Sequence, residues 1–197
     1  LDMKPLISHR FEIDDAIEAY KCLDDKSSLG ILLNYPANAN DLLSKKLVNI
    51  SETEEYASSD AVCGFIGGGN YASRVLIPAF KDAGAKLDTL LTSSGVSAVH
   101  HGKKNGFANA STDLSQLLEK KTVNTIVIAT QHNLHAEQVV EALNAGKNVF
   151  VEKPLALNHE ELDAIESAYN AQNGKCRLMV GYHRRFAPHV IKMKSLL

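Results

Sequence analysis

The sequence predicts an α/β protein: a doubly wound, mostly parallel sheet with a small α+β appendage ahead of it. Three observations lead there. From Cys63 onward, short β-rich runs alternate with helical patterns, the order that a parallel sheet with crossover helices requires. A glycine cluster, GFIGGGNYA, separates the first of those runs from the first helical pattern. The segment before it has another texture and ends in a polar, Asn/Ser/Glu-rich connector, so the chain divides into residues 1–56 and 57–197.

Composition narrows the function classes. The 197 residues hold 21 Lys and Arg against 23 Asp and Glu, a formal net charge of −2. Without a run of like charge, no nucleic acid partner is expected. Cys22, Cys63 and Cys176 are odd in number and far apart, with no Cys-x-x-Cys spacing. They suggest neither a disulfide framework nor a zinc knuckle, and a reducing, cytoplasmic setting fits. No apolar stretch approaches the roughly 18 residues of a membrane span, and the amino terminus lacks a basic flank followed by a hydrophobic run, so no membrane partner is expected.

In the first unit Ile13, Ala16, Ile17 and Tyr20 recur at helical spacing, and residues 29–33 read as a strand. Units below about 40 residues seldom bury a core of their own. In the second unit the predicted strands are AVCGFI (61–66), KLDTLLT (86–92), a weaker GFANA (106–110), NTIVIAT (124–130), KNVFVEKP (147–154) and CRLMVGY (176–182). Pro78 falls in the helical pattern after the glycines. Its missing N–H and its ring predict a bend there. Asp113 with Gln116 opens a short helix carrying Leu114, Leu117 and Leu118. Ala136, Val139, Val140 and Leu143 make a second apolar stripe, ended by Gly146. Asn158 and Glu161 form a capping pair for a third, on which Leu162, Ile165, Ala168 and Tyr169 face one way until Gly174 stops it.

Gly67-Gly68-Gly69-Asn70-Tyr71-Ala72 fits G-x-G-x-x-A. In that pattern Gly67 makes the tight turn, Gly69 lets backbone approach a pyrophosphate, and Ala72 lets helix and strand pack closely. The helix start then offers free N–H groups and a positive dipole end to the anion. A glycine-rich turn alone equally joins a strand to a helix with no ligand, but the strand before and the helix after favour a Rossmann-like dinucleotide site. The acid expected about 20 positions further on, which would bind the adenosine ribose, is replaced by Thr92-Ser93-Ser94, and Asp88 lies too early in its strand. Hydroxyls suit a ribose or a 2′-phosphate, so the cofactor reads as NAD or NADP.

The fourth and fifth of these strands end in Thr130-Gln131-His132-Asn133-Leu134-His135 and in Glu152-Lys153-Pro154. Carboxyl ends of such strands face the ligand crevice. His132 and His135 lack a third ligand, so no metal is expected, and either could simply border a helix start. A Lys153 ammonium at that edge could stabilise the charge that develops when a carbonyl accepts hydride, although a solvent-exposed lysine is the ordinary alternative.

GFIGGGNYASRVLIPAF, IVIATQHNLHAEQVVEALNAGKNVFVEKPLAL and GYHRRFAP, over about residues 60–197, together resemble the nucleotide-binding domain of the glucose-fructose oxidoreductase / inositol dehydrogenase / MocA family. The resemblance implies hydride transfer between a nicotinamide and a sugar, polyol or related carbonyl, commonly in a homo-oligomer. It implies that Gly67, Gly69, Asn70, Tyr71 and Ala72 surround the pyrophosphate and that Ser93 lies near the adenosine ribose. Thr130, His132, Asn133 and His135 would border the nicotinamide half. Glu152 would touch the nicotinamide ribose, Lys153 would be the catalytic-site lysine, and Arg184 or Arg185 would reach the cofactor or the substrate entrance. The family's acid/base histidine belongs to a second domain, which by the resemblance would follow residue 197. A binding or scaffolding module without catalysis is the alternative that the intact Glu152-Lys153-Pro154 disfavours. LISHRFEIDDAIEAYKCLDDKSSLGILLNYP, starting at Leu6, resembles the end of a medium-chain, zinc-type alcohol dehydrogenase without its zinc ligands. The two resemblances together imply a piece of a larger fusion.

Overall fold

The computed structural model describes residues 3–35, 46–51 and 55–197, which fall into two compact units, Leu1–Lys45 and Lys46–Leu197. In the first, β1 (His9–Glu12) and β2 (Ile31–Asn34) pair in parallel, His9 opposite Ile31 and Glu12 opposite Asn34. The helix between them, α1 (Ala16–Lys21), is shorter than expected, because Ile13–Asp15 and Cys22–Asp24 on either side wind as 3-10 turns. The tighter winding eclipses residues three apart and rotates the expected apolar face. Ala19 is buried, while Ile17 and Tyr20 are 74% and 71% exposed.

The second unit is a seven-stranded sheet in the order β3-β6-β5-β4-β7-β8-β9. Its strands are β3 (Leu47–Asn49), β4 (Val62–Ile66), β5 (Lys86–Leu91), β6 (Asn109–Ser111), β7 (Thr125–Ile128), β8 (Asn148–Val151) and β9 (Leu178–Val180). All neighbours are parallel except β3, which runs antiparallel to β6 with Val48 opposite Ala110. Because β3 joins this sheet, the unit begins at Lys46 and not at 57. The linker expected there therefore contributes an edge strand, and part of the polar connector lies outside the described residues. From β4 onward the order is that of a doubly wound dinucleotide fold, whose switch point falls between β4 and β7.

The crossover segments are α2 (Ile77–Asp82), α3 (Gly95–Asn105), α4 (Leu114–Glu119), α5 (His135–Asn144) and α6 (His159–Ala171), with α7 (Pro188–Leu196) after β9. Helix starts follow the sequence signals. Asp113 accepts hydrogen bonds from the Ser115 and Gln116 amides, and Asn158 accepts one of 2.8 Å from the Glu161 amide while Glu161 reaches back to the Leu157 amide at 2.7 Å. The disturbance expected at Pro78 takes the form of a π-wound turn over Ala72–Leu76, immediately before α2. Widening to i→i+5 bonding is one way a helix accommodates a residue that cannot donate.

Strand alternation sorts the core onto the two faces of the sheet. Val62, Ile66, Ile126, Ile128, Val149 and Val151 pack under α5 and α6 through Val139, Leu143 and Ile165. Cys63, Phe65 and Val127 face the other way, against Leu76, Ile77 and Phe107, where Phe65, Phe80, Phe107 and Phe150 meet edge to face at 5.3–5.5 Å. Asp88 interrupts the β4–β5 register, since Cys63 pairs with Leu87 and Gly64 with Thr89. The bulge turns Asp88 into the protein, fully buried, where Lys120 Nζ meets its Oδ1 at 2.5 Å.

Candidate dinucleotide site

Four residues just past strand ends hang on the last carbonyl of the neighbouring strand. The Gly67 amide donates to Leu91, Ala129 to Ile66, Glu152 to Ile128 and Gly181 to Val151, all at 2.8–2.9 Å. The crevice edge is thus a continuation of the β-ladder.

At the switch point Gly67 has φ +101°, and a Cβ there would run into the Ala129 carbonyl. Gly68 has little more room, 3.1 Å from Thr92 Cγ2. Gly69 differs: nothing lies within 4 Å of where its Cβ would be. Protein packing therefore requires Gly67 and constrains Gly68, whereas the space over Gly69 is left to something else. Ser73 clamps the turn, its amide donating to Gly69 O and its hydroxyl to Gly68 O, each at 2.9 Å. Ala72 is buried between helix and sheet.

Two depressions meet over this turn, sharing Gly69, Asn70, Ala129 and Thr130 in their walls. The larger, about 780 Å³, runs past Gly67 and Gly68 to Ser93, Ser97 and His101. The smaller, about 480 Å³, is bounded by Tyr71, His132, His135, Glu152, Lys153 and His183. Among the expected site residues, Gly67, Gly69, Asn70, Tyr71, Ala72, Ser93, Thr130, His132, His135, Glu152 and Lys153 line one or both. Asn133 and Arg184 are exposed and line neither depression. In the 3-10 turn His183–Phe186 it is His183 that faces inward, while Arg185 lies over the Phe186 ring at 5.3 Å.

The side chains around the smaller lobe hold one another. His135 is fully buried, with Nδ1 2.7 Å from Pro154 O and Nε2 3.2 Å from Thr130 O. Joining the β7 and β8 loops in this way makes it a positioning residue. Thr130 donates its hydroxyl to Gln138 at 2.7 Å. The Tyr71 ring stacks on His183 at 5.9 Å. Burial, and then the negative charge of the Glu152 carboxylate, hold that phenol above its ordinary pKa. Glu152 is buried because Gly181 makes room for it; a Cβ at 181 would sit 2.9 Å from Glu152 Oε1. Lys153, beside a cis peptide bond to Pro154, is exposed at the lobe. Ser73, Gly181, His183 and the Ser97–His101 pair were not singled out from the sequence; the HRR triplet after β9 and the four-residue spacing on α3 were the available signals.

A doubly wound sheet with a glycine turn at its switch point, opening onto a two-lobed crevice, defines a dinucleotide-binding domain. The chain belongs to the Gfo/Idh/MocA oxidoreductase family, NAD-binding Rossmann fold, whose pattern matches residues 61–182. Oxidoreductase P35 of Formosa agariphila is 33% identical over 135 residues, 68% of this chain and 41% of that protein. The 1,5-anhydro-D-fructose reductase of Ensifer adhaerens is 30% identical over 124 residues, 63% of this chain and 37% of the reductase. A putative myo-inositol dehydrogenase of Sinorhizobium meliloti superposes with TM-score 0.62 at 26% identity, covering 68% of this chain and 40% of the other. The chain thus spans only about two fifths of the length of the relatives it matches.

Proposed function

We propose that the Lys46–Leu197 unit binds NAD(H) or NADP(H) across the two lobes and serves an oxidoreductase acting on a sugar, polyol or related carbonyl compound. The observation that carries this reading is the empty space over Gly69 at the start of a helix. Backbone amides there suit a pyrophosphate, which the amides after Gly69 and the side chain of Asn70 would hold. Ser93 would meet the adenosine ribose and Glu152 the nicotinamide ribose, with Thr130 and His132 at the ring's half of the crevice. The dinucleotide, when bound, supplies the hydride acceptor or donor. Lys153 holds its ammonium where a substrate oxygen would gain negative charge, and His135 keeps the loops bearing Thr130 and Pro154 together.

The relatives' names, a reductase of 1,5-anhydro-D-fructose among them, support the substrate class. A homo-oligomer and a reducing, cytoplasmic setting belong to the same proposal, on the family resemblance and the scattered cysteines. The first unit we read as akin to the end of a zinc-type alcohol dehydrogenase and the protein as a fusion; the parallel pairing of β1 with β2 around α1 supports that kinship.

Paired alanine substitutions test dinucleotide binding. Gly69→Ala should melt within about 0.5 kcal/mol of the parent yet bind NADH and NADPH at least about tenfold more weakly, the equivalent of one lost hydrogen bond. Gly67→Ala should instead lose about 3 kcal/mol of stability through strain and overlap with backbone. Unchanged binding by Gly69→Ala would refute the reading.

A further inference from the structure

Oxidising a secondary alcohol removes a hydride from carbon and a proton from oxygen. Lys153, a donor only, answers for the oxygen's charge but not for its proton. Besides Lys153, the ionisable side chains lining the smaller lobe are Tyr71, His132, His135, Glu152 and His183. Three of these are committed. The Tyr71 phenol is held above its ordinary pKa and keeps its proton near neutrality. Both nitrogens of the buried His135 lie against backbone carbonyls. Glu152 is buried against Gly181 and has its proposed place on the ribose. Of the two that remain, His132 is exposed, meets the His135 ring at 5.7 Å and has no hydrogen bond among the described residues to set its tautomer.

His183 is fixed on two sides. Its ring stacks on Tyr71, 5.9 Å between centroids and 29° between planes, and its Nδ1 lies 3.2 Å from Gly181 O. A carbonyl only accepts, so the neutral ring holds its proton on Nδ1 and leaves Nε2 as an acceptor. The residue bearing that carbonyl is itself anchored, the Gly181 amide donating to Val151 O at 2.8 Å. Among the described residues His183 Nε2 has no hydrogen-bond partner. Strands β8 and β9 run parallel with Val151 opposite Val180, so Lys153 and His183 follow adjacent strands onto one rim. We infer that His183 receives the substrate hydroxyl in the smaller lobe, Nε2 taking its proton as the alcohol becomes a carbonyl. In that direction the hydride leaves the carbinol carbon for the oxidised nicotinamide. The O–H proton passes to Nε2, the O–H electron pair forms the second carbon–oxygen bond, and the Lys153 ammonium steadies the oxygen. Reduction runs the same transfers backwards. The inference rests on the oxidoreductase reading above and adds to it a proton acceptor carried by the dinucleotide-binding unit itself.

The test uses the full chain with myo-inositol as the polyol probe, in the parent, His183→Gln and His183→Phe, with melting curves to confirm folding. NADH or NADPH, whichever binds more tightly, is the reduced dinucleotide. Long-range proton–nitrogen spectra of the histidine rings in mildly alkaline buffer should show His183 with its proton on Nδ1, the signal being assigned by its loss in the variants. Its Nε2 resonance should move when myo-inositol joins the complex with reduced dinucleotide. Phenylalanine keeps the stack on Tyr71 but has no acceptor, so polyol affinity should fall at least about tenfold more than dinucleotide affinity, the equivalent of one hydrogen bond. Glutamine keeps an acceptor oxygen but cannot take the proton. It should bind myo-inositol within about threefold of the parent and oxidise it at least about a hundredfold more slowly. A proton on Nε2, an unmoved Nε2 resonance, equal polyol affinity in His183→Phe or equal turnover in His183→Gln overturns the inference. So does a parent that oxidises no myo-inositol, and each of these leaves the dinucleotide site standing. Failure of the parent to bind either reduced dinucleotide overturns both.

Discussion

Alanine at position 181 would press a methyl group against the acid of the smaller lobe. Its carbon would lie 2.9 Å from Glu152 Oε1, 3.1 Å from Glu152 Cδ and 3.1 Å from Phe150 Cζ, inside the roughly 3.5–4.0 Å of comfortable contact. Gly181 is tied to β8 through its amide, 2.8 Å from Val151 O, so the carboxylate is the part that must yield. Overpacking of this kind costs about 1–3 kcal/mol, which for a chain of this size lowers the melting midpoint by about 2–12 °C. A displaced carboxylate also abandons its proposed place on the ribose. A charge-assisted bond is worth about 1.5–3 kcal/mol, so dinucleotide affinity should fall by roughly tenfold to a hundredfold. Calorimetric melting and titration with reduced nicotinamide dinucleotide read the two effects separately. In a Glu152→Ala background a large part of the stability penalty of Gly181→Ala should vanish, because two of the three close atoms are gone and Phe150 Cζ alone remains. A penalty that persists in full there, or a single variant that melts and binds like the parent, would refute the reasoning.

If the proposed oxidoreductase role holds, Lys153→Ala should lower kcat by about a hundredfold, the scale of losing one donor to a developing oxyanion, while dinucleotide Kd stays within about threefold; unchanged turnover would remove Lys153 from the chemistry. Lys120→Met strands the buried Asp88 carboxylate, whose Oδ2 already lacks a partner, and should cost about 3 kcal/mol or more in urea unfolding, with most of it restored by adding Asp88→Asn. Burial pushes the Cys63 thiol from 9.0 up to about 12. The unfolded chain therefore releases this proton first as pH rises, and stability held below pH 9 is lost between 9 and about 12 at up to about 1.4 kcal/mol per pH unit. The alkaline limb of the stability profile should flatten in Cys63→Ala, and an equally steep limb in that variant would refute the assignment.

Much of this was legible in the sequence because the signals were local. Helices α4, α5 and α6 begin and stop where Asp113, Asn158 and Gly146 act as caps and left-handed stops, the last with φ +71°. The parallel pairing of the strands from β4 to β9 followed from their alternation with helices. What was hidden depends on pairing across the chain. β3 is an exposed edge of three residues with no alternation to read, and it is a strand only because β6 lies beside it. The bulge at Asp88 exists only in register with β4, and it is what turns that acid away from the ligand. At the site, the residues next to the glycines and on β8 could be placed from motif order. The contributions of Gly181 and His183 could not, since their value lies in what Glu152 and Tyr71 occupy. Arg184 was expected on the family resemblance alone, and in the short 3-10 turn it is the neighbouring His183 that lines the smaller lobe.

The hydrogen bonds that hang Gly67, Ala129, Glu152 and Gly181 on adjoining strands make the rim of the crevice the last rung of the sheet. Those four amides should then share the slow hydrogen exchange of the core, opening only when the core opens. Loop residues around them are free to drift in evolution, altering what is grasped. The anchor points themselves inherit their spacing from the twist of the strands and stay put.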